Sequence, residues 1–258
     1  MITSTSNPKI KWVRNLQASS RARRREGVFI VEGVRLAEEA LASSWPVRLV
    51  LYTSELDERG YALLRGYSER GAPLEQVAPH VLNAASDTET PQGILVALEQ
   101  RSLSLPASLD LVLIPDQLRD PGNLGTMLRT AAAAGASAVI LPPETVDPFS
   151  PKVVRSGMGA HFRIPIHSLD WDEIQIRLQN LHIYLAAAGD GLAYTQADLR
   201  PPLAFIIGSE AHGASPQAES LAHERLHIPM PGGVESLNAA VSAGILLFEA
   251  LRQRNAKS

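Results

Sequence analysis

Three groups of polar residues stand where the pattern predicts strand ends, and together they could do chemistry. Asn123 and Arg129 flank the start of one predicted helix. Gly208-Ser209-Glu210 follows an apolar strand over 203–207. Ser236 and Asn238 stand at the start of the last helix. In open α/β sheets, ligands bind outside the carboxyl ends of the strands. Singly, each group has an ordinary explanation in a cap, a surface arginine or a turn; three of them in one domain are harder to dismiss. The stretch 226–254 supplies the frame. A short apolar strand (226–230) leads into a turn forced by Pro231, Gly232 and Gly233, and Ser236 is then predicted as the helix N-cap. A strand, a glycine loop and a helix N-terminus leave free backbone amides on a pocket rim. Ala239, Ala240, Ala243 and Gly244 keep one side of that helix small, while Leu237, Val241, Ile245, Phe248 and Leu251 recur at helical spacing.

Other motifs point away from metal, nucleoside triphosphate and dinucleotide chemistry. His223-Glu224-Arg225-Leu226-His227 matches HExxH, but zinc needs both histidines on one face of a helix, and here Pro229 and a strand pattern follow at once. No metal site is therefore expected. Gly157-Met158-Gly159 lacks the third glycine of a dinucleotide fingerprint, and no P-loop motif is present. The 258 residues contain no cysteine, which excludes disulfides and thiolate metal sites. A hydrophobic fraction of 45% suffices for a packed core. No apolar run is long enough for a bilayer, and no secretion signal is read at the start, so a cytoplasmic protein without membrane contact is expected. The net charge is only −3, yet Lys9, Lys11, Arg14, Arg21, Arg23, Arg24 and Arg25 fall in the first 25 residues without an acid among them. Such a run is either a phosphate-neutralising arm or a solvated tail. Trp12 within it is expected to pack on the domain rather than stack on a base.

The elements that must position these residues alternate. Strands are predicted at 28–31, 47–52, 74–78 and 93–98, with helices at 34–42, 61–67 and 80–85, which describes a layered α/β domain over 1–99. The polar stretch 100–108 (QRSLSLPAS from Gln100) is predicted as a linker. A second α/β domain is predicted over 109–258, with strands at 109–115, 136–141, 162–166, 183–188, 203–207 and 226–230. Its helices are predicted at 124–134, 152–158, 171–179, 217–222 and after Ser236.

Three blocks, in this order, resemble a known family. They are DPGNLGTMLRTAAAAG (120–135), FIIGSEAHGAS (205–215) and IPMPGGVESLNAAVSAGILLFEA (228–250). The chain resembles the SpoU (TrmH-type) RNA ribose 2′-O-methyltransferases of the SPOUT superfamily. NPKIK at 7–11 and FIVEG at 29–33 are similar to the ribosomal-L30e-like substrate-binding domain of many such enzymes. The resemblance covers nearly the whole chain. One departure is Ser209, where the family more often has asparagine.

The resemblance implies an L30e-like RNA-binding domain followed by an α/β-knot domain with a deep trefoil knot, its last helix passing through a loop near 208–215. It further implies a homodimer, S-adenosylmethionine as cofactor, and methyl transfer to a ribose 2′-hydroxyl of RNA. By the same resemblance Gly208, Ile228, Met230 and Leu237 line the cofactor pocket, and Asn123, Ser236 and Asn238 position substrate and cofactor. Glu210 orients Arg129 or its own loop. Arg129 is placed at the chemical step, where a guanidinium is awkward because it stays protonated. Either it holds the neighbouring phosphate and steadies the developing alkoxide, or a phosphate-coupled arrangement lets it accept the proton. Lys9, Lys11, Arg21, Arg23, Arg24 and Arg25 are the expected RNA contacts. By analogy with the L30e-like domain, ribosomal RNA, and 23S in particular, is the expected substrate; transfer RNA methylation and a non-catalytic RNA-binding protein of the same fold are the alternatives.

Overall fold

A computed structural model describes residues 1–209 and 213–256. Their contacts form two units: Met1–Arg101 together with Asp147–Phe162, and Ser102–Val146 together with Arg163 onward.

The first unit opens with two helices, α1 (Pro8–Ala18) and α2 (Ser20–Glu26). Strand β1 (Val28–Glu32), α3 (Val34–Ser43), β2 (Val47–Tyr52), α4 (Glu58–Glu69), β3 (Leu74–Gln76), α5 (Pro79–Ala85) and β4 (Ile94–Glu99) follow. The sheet order is β1-β4-β2-β3, with β4 antiparallel to both neighbours and β3 parallel to β2. Alternate strand residues face opposite sides of a sheet. Val28, Ile30, Leu49, Leu51, Leu95 and Ala97 therefore pack on α1 and α5, while Phe29, Val31, Val50, Ile94, Val96 and Leu98 pack on α3 and α4.

The basic run is neither an arm nor a tail. Asn7 accepts from the Lys9 amide and Pro8 occupies the first turn, so α1 starts there; Ser19 accepts from the Ala22 amide and starts α2. Ile10, Val13 and Leu16 recur at helical spacing and are buried, and Trp12 packs beside them. One expected RNA contact is corrected outright. Arg23 is only 4% exposed. Its Nε and Nη2 donate to Asp147 Oδ2 at 2.8 and 2.7 Å, and its Nη1 donates to the Leu16 and Gln17 carbonyls at 2.6 and 3.0 Å. Asp147 lies 124 residues away, so local sequence could not reveal the pairing.

The second unit begins with β5 (Leu111–Pro115), α6 (Pro121–Ala133) and β6 (Ala138–Leu141). The chain then contributes 147–162, with α7 (Pro151–Gly157), to the first unit. That excursion was not foreseen in a division at 100–108. Phe149 and Phe162 join Phe29 and Trp45, with ring centroids 5.0 Å apart for Phe29–Phe149 and for Trp45–Phe162. His161 is buried among these rings, bonded through Nε2 to the Pro148 carbonyl at 2.7 Å, and burial holds its pKa below the ordinary value. Strand β7 (Ile166–Ser168), α8 (Trp171–Leu178), β8 (His182–Ala186), β9 (Leu192–Ala193), β10 (Leu203–Ile207), α9 (Pro216–Leu221), β11 (Glu224–His227) and α10 (Ala239–Asn255) complete the second unit.

Among the described residues this sheet has seven strands in the order β7-β6-β5-β10-β8-β11-β9, every pair parallel. Such strands are covered on both faces and read as continuous apolar runs, as LVLIP and LAFII do. Helices α8 and α9 cover one face through Ile174, Leu178 and Ala218. Helix α10 packs on β10 and beside α6, where a Cβ on Gly244 would lie 3.6 Å from Thr130 Cγ2. No helix among the described residues is long and apolar enough to cross a membrane.

Candidate active site

Two helix N-termini bring the polar residues together. Asp120 caps α6 by accepting from the Asn123 amide at 2.8 Å, which places Asn123 in the first turn. The cap of α10 is Asn238 and not the predicted Ser236. Its Oδ1 accepts from the Ala240 and Val241 amides at 3.0 and 3.2 Å. The helix starts where Ala239 and Ala240 become buried, and asparagine caps as well as serine. The same asparagine reaches across to the other helix, with Nδ2 donating to Asn123 Oδ1 at 2.9 Å. Residues 115 positions apart in sequence thus share one hydrogen bond.

Beside this pair lies a cavity of about 330 Å³, within the range of small-molecule sites. The end of β8, the end of β10, Gly213-Ala214, and Leu226, Ile228, Met230, Ser236 and Leu237 form its walls. Gly208, Ile228, Met230 and Leu237, all expected there, line it, and so does Ser236. The wall after β10 is tight. Ser209 and Gly213 exchange backbone bonds at 2.9 and 3.0 Å, and a Cβ on Gly208 would lie 2.6 Å from the Gly213 carbonyl. Only glycine tolerates that approach. Glu210 lies outside the described residues.

One margin of the cavity was not anticipated. Arg225 donates to Asp190 at 2.9 Å and to Glu219 at 2.6 Å, and all three line it. They come from three separate segments, and no spacing in the sequence links them.

Arg129 lies six residues beyond Asn123 on α6, roughly 9 Å along the axis. It is exposed, does not line the cavity of its own chain, and makes no hydrogen bond or ion pair among the described residues. The HExxH residues serve the sheet. His223 Nδ1 accepts from the Ile183 amide at 2.9 Å, and His227 Nδ1 is bonded to the Gly191 carbonyl at 3.0 Å. Among the described residues no cluster of metal-ligating side chains forms. Of the basic residues, Lys11, Arg21 and Arg24 are exposed; Lys9 pairs with Glu75, and Arg25 pairs with Glu26 at 2.9 Å.

Comparison with known proteins bears on these features. The SpoU rRNA Methylase family model matches residues 110–248, and the MRM3-like substrate binding domain matches residues 7–96. The chain belongs to the SpoU rRNA methylase family. It is 33% identical to the 23S rRNA (guanosine(2553)-2'-O)-methyltransferase RlmP of Bacillus subtilis, over 96% of this chain and 97% of that protein. An AdoMet-bound rRNA methyltransferase from Sinorhizobium meliloti superposes with a TM-score of 0.86 at 33% identity, over 97% of each chain. AviRb of Streptomyces viridochromogenes, solved in complex with AdoMet, superposes with a TM-score of 0.87 at 29% identity, over 98% of this chain and 100% of that one. Both structural matches cover residues of the two units described above.

Proposed function

We propose that the protein is an S-adenosylmethionine-dependent RNA ribose 2′-O-methyltransferase that acts on 23S ribosomal RNA. One observation carries the assignment to this site: the cavity walled by Gly208, Ile228, Met230 and Leu237 opens beside the bonded Asn123–Asn238 pair. The cavity suits the cofactor. Its apolar side chains and the close backbone at Gly208 fit an adenosyl group, and Ser236 supplies a polar rim. When bound, S-adenosylmethionine supplies an electrophilic methyl that leaves sulfur for the ribose oxygen.

The chain's own residues prepare that oxygen. Asn123 and Asn238 hold each other and fix the rim on which the ribose is laid, so the reacting atoms meet in line. A guanidinium is a poor base, so Arg129 acts by holding the adjoining phosphate and steadying charge on the 2′-oxygen while the hydroxyl proton passes to water. Glu210 orients Arg129 or its loop. Lys9, Lys11, Arg21, Arg24 and Arg25 take RNA phosphates on the surface of the first unit.

The site is completed by a second copy. Val241 and Phe248 are 50% and 48% exposed on α10, while Ala239, Ala240, Ala243, Leu246, Leu247 and Ala250 are buried. The two large apolar side chains left outside support a homodimer, in which Arg129 of one chain serves the cavity of the other. Family membership supports a trefoil knot at the loop after β10, and a cytoplasmic place of work where ribosomal RNA is made.

The test is single-turnover transfer from labelled S-adenosylmethionine to total RNA, with 2′-O-methyl mapping in a deletion strain. Label in 23S RNA and one missing methyl there are expected. Label in transfer RNA alone would replace the substrate, and absence of cofactor binding would leave a non-catalytic RNA-binding protein. Sedimentation should give a dimer at micromolar concentration, and a monomer there would refute the shared site.

A further inference from the structure

Asp116 is the buried carboxylate of the second unit among the described residues, and nothing in the chemistry above uses it. It follows β5 directly, and its amide donates to the Ile207 carbonyl at 2.8 Å, carrying the β5–β10 pairing one residue further. Its side chain has no exposure. Oδ2 accepts from the Ser215 amide at 2.6 Å, while Oδ1 is buried without a hydrogen-bond partner among the described residues. Burying a carboxylate with half its acceptors idle is unfavourable, and an apolar side chain of similar size would serve stability better. Burial pushes its pKa up, against the pull of Ser215's amide and hydroxyl, and Glu144 pushes it the same way as burial.

What the carboxylate joins explains its presence. Ser215 is buried and caps α9, its Oγ accepting from the Ala218 amide at 3.2 Å. The residues just before it, Gly213 and Ala214, line the cavity. On the other side, the chain turns at Gln117, whose φ is +51°, and Leu118 is buried with its carbonyl bonded to the Val146 amide at 2.9 Å. Four residues beyond Asp116 stands the cap of α6, and then Asn123.

We propose that Asp116 is a positioning residue that ties the cavity wall at 213–215 to the loop leading into α6 and Asn123, so that cofactor wall and catalytic rim keep one register. It acts through Ser215 and touches no reacting atom. The proposal rests on reading the cavity as the S-adenosylmethionine site.

The experiment uses the full chain and measures S-adenosylmethionine Kd by calorimetry, together with KM and kcat for methyl transfer. Asp116→Leu should raise Kd and the cofactor KM about tenfold or more, the scale of a lost hydrogen bond to a charged group, and should change kcat at saturation far less. Asp116→Asn keeps an acceptor for Ser215 and should return both to within about threefold of wild type. Leu178→Ala, on the buried face of α8, should lower the melting temperature without moving Kd. Wild-type Kd in Asp116→Leu, no rescue by asparagine, or an equal shift in Leu178→Ala would overturn the proposal. If Asp116→Leu does not fold, Ser215→Pro decides. It removes the amide donor at a residue whose φ of −69° already suits proline, and it should weaken binding beyond Ser215→Ala. Equal Kd in those two variants would overturn the proposal as well. A wild-type chain that binds no cofactor would instead refute the assignment of the cavity.

Discussion

Arg23 in α2 and Arg129 in α6 are the same side chain on two helices, yet their surroundings give them opposite roles. Arg23 is buried, and its donors go to Asp147 and two main-chain carbonyls. Arg129 is exposed and has no partner among the described residues. Taking a charge out of water is so costly that a buried guanidinium persists only when fully paired, and a paired one has nothing left to offer a ligand. An exposed, unpaired one on the same kind of helix keeps all five donors for a phosphate. The lesson carries to the rest of the basic run, where Lys11, Arg21 and Arg24 resemble Arg129 in exposure, although they neighbour Arg23 in sequence.

The widest separation between the two arginines should appear in stability. Arg23→Ala leaves Asp147 Oδ2, in a half-buried carboxylate, and two main-chain carbonyls without their donor and should cost about 3–5 kcal/mol in denaturant unfolding. Cofactor affinity in the folded fraction should not change. A loss below about 1 kcal/mol would mean that the pair behaves like a surface ion pair, and the contrast would collapse.

Arg129→Ala should give the reverse pattern: stability near wild type and cofactor Kd nearly unchanged, but methyl transfer slower by roughly a hundredfold or more. Arg129→Lys should not restore the rate, because a point charge does not reproduce the planar fork. Paired calorimetry and single-turnover kinetics test this; a wild-type rate, or loss of cofactor binding along with activity, would remove the role assigned to Arg129.

The smallest effect belongs to the exposed basic face. Replacing Arg21, Arg24 and Arg25 with alanine should weaken RNA binding about equally across sequences and flatten its salt dependence. Each phosphate contact removed should reduce by roughly threefold the affinity lost between about 50 and 200 mM salt. Filter binding across that range measures the slope, and an unchanged slope would place these residues outside the interface.

Much of the fold was legible because its signals are local. The runs VRLVLY and LAFII are strands over the predicted residues, 47–52 and 203–207: LAFII is buried throughout and reads as a continuous apolar run, while VRLVLY keeps a buried β-branched and leucine centre. Helices α1 and α2 were obscured by their own charges, although Asn7-Pro8 and the spacing of Ile10, Val13 and Leu16 carried the signal. The last helix shows the limit of periodicity. Its apolar residues run around most of the helix, and sequence spacing does not say which face turns inward. Packing beside α6 and β10 buries Ala239, Ala240, Ala243, Leu246, Leu247 and Ala250 and leaves Val241 and Phe248 outside.

By itself the sequence determined the α/β class, the family through its three motif blocks, and the residue types of the cavity wall, because those depend on short-range order along the chain. Only the tertiary structure decided that Asn238 rather than Ser236 caps α10 and meets Asn123, and that Arg23 is spent on Asp147. It alone brought Asp190, Glu219 and Arg225 together and closed Asp116 over Ser215. Each of these is a hydrogen bond or ion pair between segments that meet only once the sheets have formed. Their energies are set by burial and distance, and neither is written in local sequence.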